Sequence, residues 1–571
     1  MQLIDTLADR GVLSEAERAR ALEAVSNAAD RPPHLTLLEK GFVKEEALFP
    51  ALADEFGLQY VDLTQATVEP EALVGIPQKL VHKKNLMPLS RHNGTLVVAT
   101  GDPFDSYALD ELQTITGLQI HPVLGSPKEI SRLLKTHFGI GGDNVAGLMA
   151  THKKEDDLEL LEDIEADDSE AAKAAQEATV VGLVNKILIE AATERASDVH
   201  IEHEETGIVI RYRIDGLLQL QRLPPEINRW AAAIVSRLKI MARLNIAEKR
   251  LPQDGRIKMK VQGREVDVRV SIIPMIHGEG IVMRLLDKGR MVFNLKNIGF
   301  LPDYDKKFRQ IIDRPHGIVI VTGPTGSGKS TTLYSALNEV KDETTKIITV
   351  EDPVEYQQAG ICQIQTHAKI GLTFASALRS ILRHDPDVVL IGEMRDLETA
   401  ESAIQASLTG HMVFSTLHTN DAPSAFTRLI DMKVEPFLVA STVEGVLAQR
   451  LVRTICPDCK APHHPTGEDE LPIDFPKLDP ITNEPWQHLY KGTGCRNCRN
   501  SGYRGRTGIH ELLINTDVIR DLIVQKVNAS VIRMEALKQG MRTLRQDGFY
   551  KCINGTTTLD EVGRTTAGDI S

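Results

Sequence analysis

Aromatic side chains are scarce, at 4% of the 571 residues, with only two tryptophans among them. So few rings leave little stacking surface for single-stranded nucleic acid, whose bases bind by lying against them. Long apolar runs are missing too. Nothing approaches the roughly 18 residues that a membrane-spanning helix needs. The opening Met1-Gln2-Leu3-Ile4-Asp5 is not the basic start and apolar core of a secretory signal. The chain therefore reads as soluble and cytoplasmic, meeting a membrane only through partners. Basic charge is in deficit, with 66 Lys and Arg against 79 Asp and Glu for a net charge of −13. The deficit is local: residues 155–170 hold ten acids and no base, and the remainder of the chain carries only −3. A nearly neutral body argues against a general nucleic-acid binder. Cysteine is sparse as well, six in all. Four of the six form two C-x-x-C pairs, which in a reducing compartment read as metal ligands before disulfides.

What the chain does have is a phosphate loop. Gly323-Pro324-Thr325-Gly326-Ser327-Gly328-Lys329-Ser330 fits G-x-x-x-x-G-K-[ST], with the apolar run Ile318 to Val321 before it and helix-spaced Leu333, Leu337 and Val340 after it. Short β-branched runs form buried parallel strands, and glycines let backbone N–H groups turn inward around phosphates at a helix N-terminus. Lys329 is expected to neutralise the β- and γ-phosphates, and the Ser330 hydroxyl, followed by Thr331, to hold Mg²⁺. The plainer alternative is a glycine-rich turn from strand to helix. The flanking pattern favours a nucleoside triphosphate.

The length exceeds what one hydrophobic core organises, so three or four domains are expected. Residues 1–139 read as an N-terminal docking domain. It opens with a weak repeat, Leu3, Leu7 and Gly11-Val12 recurring as Leu35, Leu37 and Gly41-Phe42, each followed by a helical stretch. A mixed α/β part follows, with a strand at 95–100 and a helix at 126–138. Residues 140–178, rich in acids, Gly and Ala, read as a flexible linker. Residues 179–290 read as an α+β domain. There Ile208, Ile210, Tyr212 and Ile214 alternate with Arg211 and Arg213, and the hairpin of strands 256–261 and 266–270 and a strand at 281–285 add Arg256, Arg269 and Arg284 to a polar face. A solvated strand face accounts for that pattern equally well. From 291 onward short apolar strands at 318–322, 346–351, 387–392 and 412–416 alternate with helix-length stretches, as in a mostly parallel α/β sheet with ligands at strand C-terminal ends.

Two strands end in carboxylates suited to holding a metal or a water: Asp387 to Glu393, with Glu393 last and Asp387 at the structural end, and Ile347 to Glu355, with Glu351, Asp352 and Glu355. Helix capping and turn chemistry around Pro353 are the alternatives. A further strand carries a histidine at each end, His411 and His418. A lone histidine is usually structural, but two flanking one strand of a nucleotide-binding sheet can report nucleotide state.

These segments carry a resemblance. The phosphate loop, Thr349 to Glu355, Gly371-Leu372-Thr373-Phe374 through Arg383, Glu393-Met394-Arg395-Asp396 and the histidine box occur in order and at close spacing. Together they resemble the type II secretion and type IV pilus family of hexameric, RecA-like ATPases, over residues 179–571 and more weakly over 1–139. Val434 to Ser441 and Leu447 to Arg453 look more like the secretion branch than the pilus-assembly branch. The resemblance implies a P-loop ATPase domain at 291–571 preceded by a PAS-like α+β domain, ATP and Mg²⁺ as ligands, and a homohexamer in which Arg211, Arg213, Arg256, Arg269 or Arg284 reaches phosphate. It further implies docking, through residues 1–139, on inner-membrane proteins of the machine: the cytoplasmic domain of an L-type protein and an F-type platform protein. A nucleic-acid translocase is the rival from another class, disfavoured by the few aromatics and the lack of basic charge.

Cys456-Pro457-Asp458-Cys459 and Cys495-Arg496-Asn497-Cys498 offer four thiolates to one Zn²⁺ in a closed structural site at 456–498, which the resemblance also implies; redox use is the alternative. The N-terminal repeats resemble modules that bind cyclic di-GMP in some relatives. Both copies lack the Arg-Leu-Gly opening of that motif, so docking to a membrane partner is the reading preferred.

Overall fold

The structure is a computed structural model. It describes residues 32–138, 158–161, 170–221, 225–287, 289, 292–465, 471–479 and 482–567, less positions 44 and 65, together with parts of the first 31. Two compact units divide the chain, Met1–Arg290 and Met291–Ser571.

In the first unit the alternation at Gly207–Ile214 produces a strand whose Ile208, Ile210, Tyr212 and Ile214 are buried while Arg211 and Arg213 turn away. The smaller sheet of this unit contains β1 (Gln59–Tyr60), β2 (Leu86–His92), β3 (Thr95–Thr100) and β4 (Gln119–Leu124), in the order β1-β4-β3-β2. It follows the helices Glu15–Ser26, Pro33–Glu39 and Glu45–Phe56, the first and last of which are the two repeated helical stretches. The opening positions Leu3, Gly11 and Val12 lie outside the described residues.

The larger sheet is built from β5 (Leu158–Leu160), β6 (Asp198–Glu204), β7 (Gly207–Ile214), β8 (Leu217–Gln221), β9 (Gln253–Val261), β10 (Arg264–Met275) and β11 (Gly278–Asp287), in the order β5-β9-β10-β11-β6-β7-β8. One face packs on the helices Ala178–Thr193 and Ala231–Met241 through Val184, Ile187, Leu188, Ile234 and Leu238. The Tyr212 hydroxyl, buried in that layer, donates to the Ile187 carbonyl at 3.1 Å.

The expectation of a flexible linker at 140–178 needs correction. Leu158–Leu160 pairs antiparallel with β9 as an edge strand, and Ala172 and Ala175 of the helix Glu170–Ala175 pack with Ile240 and Ile246. The acidity hid two small apolar patterns, Leu158/Leu160 at strand period and Ala172/Ala175 at helix period, each enough to dock on a preformed surface. Residues 140–157 and 162–169 of that stretch lie outside the described residues.

The second unit holds β12 (Gly317–Thr322), β13 (Ile347–Glu351), β14 (Cys362–Gln365), β15 (Val388–Ile391), β16 (Met412–Leu417), β17 (Val443–Ile455) and β20 (Tyr503–Ile514), in the order β14-β13-β15-β16-β12-β17-β20. All pairings are parallel except β17 with β20. Every residue of β12, β13, β15 and β16 is buried, as expected for strands covered on both faces. The short pair β18 (Lys460–His463) and β19 (Leu489–Gly492) stands apart from this sheet. β17 is rich in good helix formers such as Leu447, Ala448, Gln449 and Leu451. It is a strand because β12 and β20 pair with it on its two sides.

Candidate nucleotide site and cysteine cluster

The phosphate loop lies between β12 and the helix Lys329–Val340. Gly323, Gly326 and Gly328 all have positive φ, at 144°, 79° and 92°, the conformation that glycine adopts without a steric penalty. Lys329 folds back over the loop, its ammonium donating to the carbonyls of Gly323 at 2.7 Å and Pro324 at 3.2 Å. Burial lowers its pKa from the ordinary lysine value, and the charge of Glu393 opposes the shift. Lys329 and Glu393 therefore share one electrostatic neighbourhood. Ser330 is exposed on the first turn of the helix.

Glu393 follows the end of β15. The Thr416 hydroxyl donates to the Gly392 carbonyl at 2.7 Å, and Met394 N–H donates to the Thr416 carbonyl at 3.1 Å, so the ends of β15 and β16 are fastened together. That places His418 Nε2 3.2 Å from the Glu393 carboxylate, which Arg395 also grips. Burial works to raise the Glu393 pKa, but Arg395 and His418 outweigh it and hold the group below the ordinary carboxylate range. The Arg395 guanidinium also feels the charge of Asp352, so Glu393, His418, Arg395 and Asp352 form one cluster. At the same strand ends the Thr322 hydroxyl accepts from Thr419 N–H at 2.8 Å, which joins the root of the phosphate loop to the residue after His418.

The other predicted residues are placed differently. Glu351 is buried and accepts from the Tyr334 hydroxyl, from Thr349 Oγ1 at 2.6 Å and from Gln363 Nε2 at 3.1 Å, which makes it an anchor between β13 and the helix after the phosphate loop. Glu355 is half-buried in the turn beyond it. His411 is at the opposite end of β16, its Nδ1 2.8 Å from the Ala406 carbonyl and 3.1 Å from Thr409 Oγ1. At about 3.3 Å per strand residue it is roughly 20 Å from His418. A strand running through a sheet can present only one of its ends to a ligand at the C-terminal edge. Asp387 accepts from Lys346 N–H at 2.7 Å, at the end away from Glu393, as expected.

Arg211, Arg213, Arg256 and Arg284 have carboxylate partners within their own sheet. Arg211 pairs with Glu202 and Glu204 at 3.1 and 2.9 Å, and Arg256 forms a two-pronged pair with Asp267. Asp198 lies 3.1 Å from Arg284 and 3.7 Å from Arg213. Strand register, which the sequence could not supply, puts Arg256, Arg269, Arg284, Asp198 and Arg213 in one row across β9, β10, β11, β6 and β7. Like charges directly opposite one another are unfavourable, and Asp198 and Asp267 offset part of that cost.

Two residues of the nucleotide site escaped the sequence reading. Arg395 sits inside a segment that was recognised, but its contact with Glu393 was not foreseen. Gln449, on β17, donates from Nε2 to the Ser327 carbonyl at 2.9 Å and accepts from the Thr332 hydroxyl at 2.6 Å. No local signal marks it, because the contact spans more than a hundred residues of chain.

The four predicted cysteines converge. Their sulfurs all lie within 4.8 Å of one another, with Cys456 to Cys495 and Cys459 to Cys498 both at 3.7 Å. A tetrahedral zinc with sulfurs at about 2.3 Å sets its ligands about 3.8 Å apart, so this donor set fits the metal. Backbone N–H groups of Cys495 and Gly502 point at the Cys498 sulfur, at 3.1 and 3.3 Å, and favour a thiolate there. The cluster is suspended from the β17–β20 ribbon, which ends at Ile455 on one side and resumes at Tyr503 on the other.

Known proteins place this geometry. The family described as Type II/IV secretion system protein matches residues 173–564, and the one described as MshEN domain matches residues 56–143. The type IV pilus assembly ATPase PilB of Myxococcus xanthus is 43% identical over 540 residues, covering 93% of either chain. The type II secretion system protein E of Xanthomonas campestris pv. campestris is 42% identical over 577 residues, covering 99% of this chain and 98% of that one. Among solved structures, the ATPase DotB of Legionella pneumophila shares the fold, with a TM-score of 0.50 at 21% identity over 68% of this chain and 95% of that chain. With one family spanning its phosphate loop, Glu393 cluster and cysteine cluster, this chain belongs to the Type II/IV secretion system proteins.

Proposed function

We propose that this chain is a cytoplasmic ATPase that hydrolyses ATP with Mg²⁺ to power protein export through a type II secretion system by driving pseudopilus assembly. The observation that carries the reading is the shared neighbourhood of Lys329 and Glu393, which follow the C-terminal ends of β12 and β15 on either side of β16 in one parallel sheet. On binding, the Lys329 ammonium leaves the Gly323 and Pro324 carbonyls for the β- and γ-phosphates, and the Ser330 hydroxyl and the Glu393 carboxylate serve the metal and the attacking water. Mg²⁺ supplies neutralisation of charge developing on the phosphate oxygens. His418 and Arg395 hold Glu393 ionised and aimed, and the Thr322–Thr419 bond ties that cluster to the phosphate loop.

The working form is a homohexamer in which Arg211, Arg213, Arg256, Arg269 or Arg284 completes the site of a neighbouring subunit. Residues 1–139 dock on inner-membrane proteins, the cytoplasmic domain of an L-type protein and an F-type platform protein. Zn²⁺ held by Cys456, Cys459, Cys495 and Cys498 has a structural part, since four sulfur ligands leave no position open for chemistry. A pilus-extension ATPase is the second reading, favoured by an identity of 43% to a pilus assembly ATPase against 42% to a secretion protein. Deleting the gene separates them: loss of secreted protein with pili intact supports export, and the reverse supports extension.

A further inference from the structure

The first and third glycines of the phosphate loop lean on one residue of a strand that is distant in sequence. A Cβ on Gly323 would collide with the Gln449 backbone carbonyl, and a Cβ on Gly328 would lie 2.7 Å from Gln449 Nε2. The side chain of Gln449 is buried, with 2% exposure. The Ser327 carbonyl can only accept, so the amide NH₂ must face it, leaving Oε1 for the Thr332 hydroxyl. Those two partners, Ser327 and Thr332, bracket Lys329 and Ser330 in the chain. Gln449 itself is rigidly placed, because its strand runs parallel to β12 at Thr322↔Ala448 and antiparallel to β20 at Gln449↔His510.

We infer that Gln449 is a positioning residue for nucleotide, a brace that clamps the far side of the phosphate loop and the first turn of its helix in the form that receives phosphate. A core amide present only to satisfy hydrogen bonds has no need for both partners to flank the phosphate-binding lysine. The brace touches no substrate atom. Because it holds the loop equally in the ground and transition states, its loss weakens uniform binding, which raises KM and leaves kcat nearly unchanged.

The inference rests on the nucleotide-binding reading above, which the unmutated chain tests by itself; a parent chain that neither bound nor hydrolysed ATP would overturn both. Steady-state ATP hydrolysis is measured on the full chain. Gln449→Met, similar in shape but without the amide, should raise KM by ~10- to 100-fold because two buried partners are left unsatisfied, with kcat within about threefold of the parent. Gln449→Glu adds a pH readout that a merely structural residue would not give. A buried carboxyl titrates upward of its usual range. Its protonated form can donate to the Ser327 carbonyl, so KM relative to the parent should recover at pH 6 and worsen at pH 8. Thr332→Val removes one partner while keeping the glutamine, and it carries the test should Gln449→Met lose its cooperative thermal melt. Combined with Gln449→Met it should add less than its own separate effect, since both break one bond. A folded Gln449→Met chain with the parent's KM, a fall in kcat at constant KM, or fully additive effects would each overturn the brace.

Discussion

The carboxylate of Glu351 ends its strand where a catalytic acid would, yet it accepts three hydrogen bonds in a buried setting, which makes it a structural anchor. Tyr334→Phe separates the two roles. The substitution removes one donor to a charged acceptor, a bond worth about 1.5–3 kcal/mol net. Thr349 and Gln363 continue to donate to Glu351, so the loss falls in the lower part of that range, about 1.5–2 kcal/mol. For a unit of this size each kcal/mol shifts the melting temperature by about 2–4 °C, giving a fall of about 3–8 °C. The chain has two tryptophans, Trp230 in the first unit and Trp486 in the second. In a Trp230→Phe background, fluorescence during urea unfolding reports the second unit alone. The midpoint should fall while ATP turnover at 25 °C stays within about twofold of the background chain, since the loop and Glu393 are untouched. An unchanged midpoint with turnover abolished would refute the anchor and restore Glu351 as a catalytic acid.

Burial opposes ionisation of Glu561, but Arg564 and Arg453 hold its pKa at about 2. Since the unfolded carboxyl titrates near 4.3, this pair stabilises the fold fully above that pH and loses the contribution as pH falls toward 2; Glu561→Gln should lower stability at pH 7 by about 2–3 kcal/mol and flatten the acid limb of the stability curve. Elemental analysis should give one zinc per chain, lost in a Cys456→Ser, Cys459→Ser double variant whose solubility or export function fails before nucleotide binding does; metal-free, fully stable protein would contradict it. Mixing Lys329→Ala chains with a variant neutralised at Arg211, Arg213, Arg256, Arg269 or Arg284 should restore activity in mixed rings, because some sites regain both parts. Mixed rings that form without recovering activity would return those arginines to a solvated sheet face.

The phosphate loop was legible because backbone cradling of phosphate forces glycine, lysine and a hydroxyl into fixed local spacing. The cysteine pairs were legible for the same reason, since a metal fixes paired donors with two residues between them. His411 and His418 bracket one strand, and the chain direction that put Asp387 at the structural end of its own strand separates them in the same way: His418 follows β16 beside Glu393, and His411 precedes it beside the neighbouring helix end. Gln449 was invisible as a site residue because pairing across distant chain sets its role, whereas Arg395 grips a carboxylate only two residues away, a contact that the local pattern does not distinguish from a solvated arginine. Leu158 and Leu160 were masked by the acids around them, whose charge says nothing of two side chains that need only one edge strand to dock on. The arginines were visible as an alternating pattern, but their alignment into one row needed the register of five strands.

The central claim is that Lys329 and Glu393 divide binding from turnover in one site. The most direct measurement is ATP binding and hydrolysis side by side in the parent, Lys329→Ala and Glu393→Gln chains. The account predicts that Lys329→Ala loses nucleotide binding, whereas Glu393→Gln retains ATP and hydrolyses it about 10²- to 10⁴-fold more slowly, the range expected on removing a positioned proton acceptor. Hydrolysis at the parent rate by Glu393→Gln would contradict it.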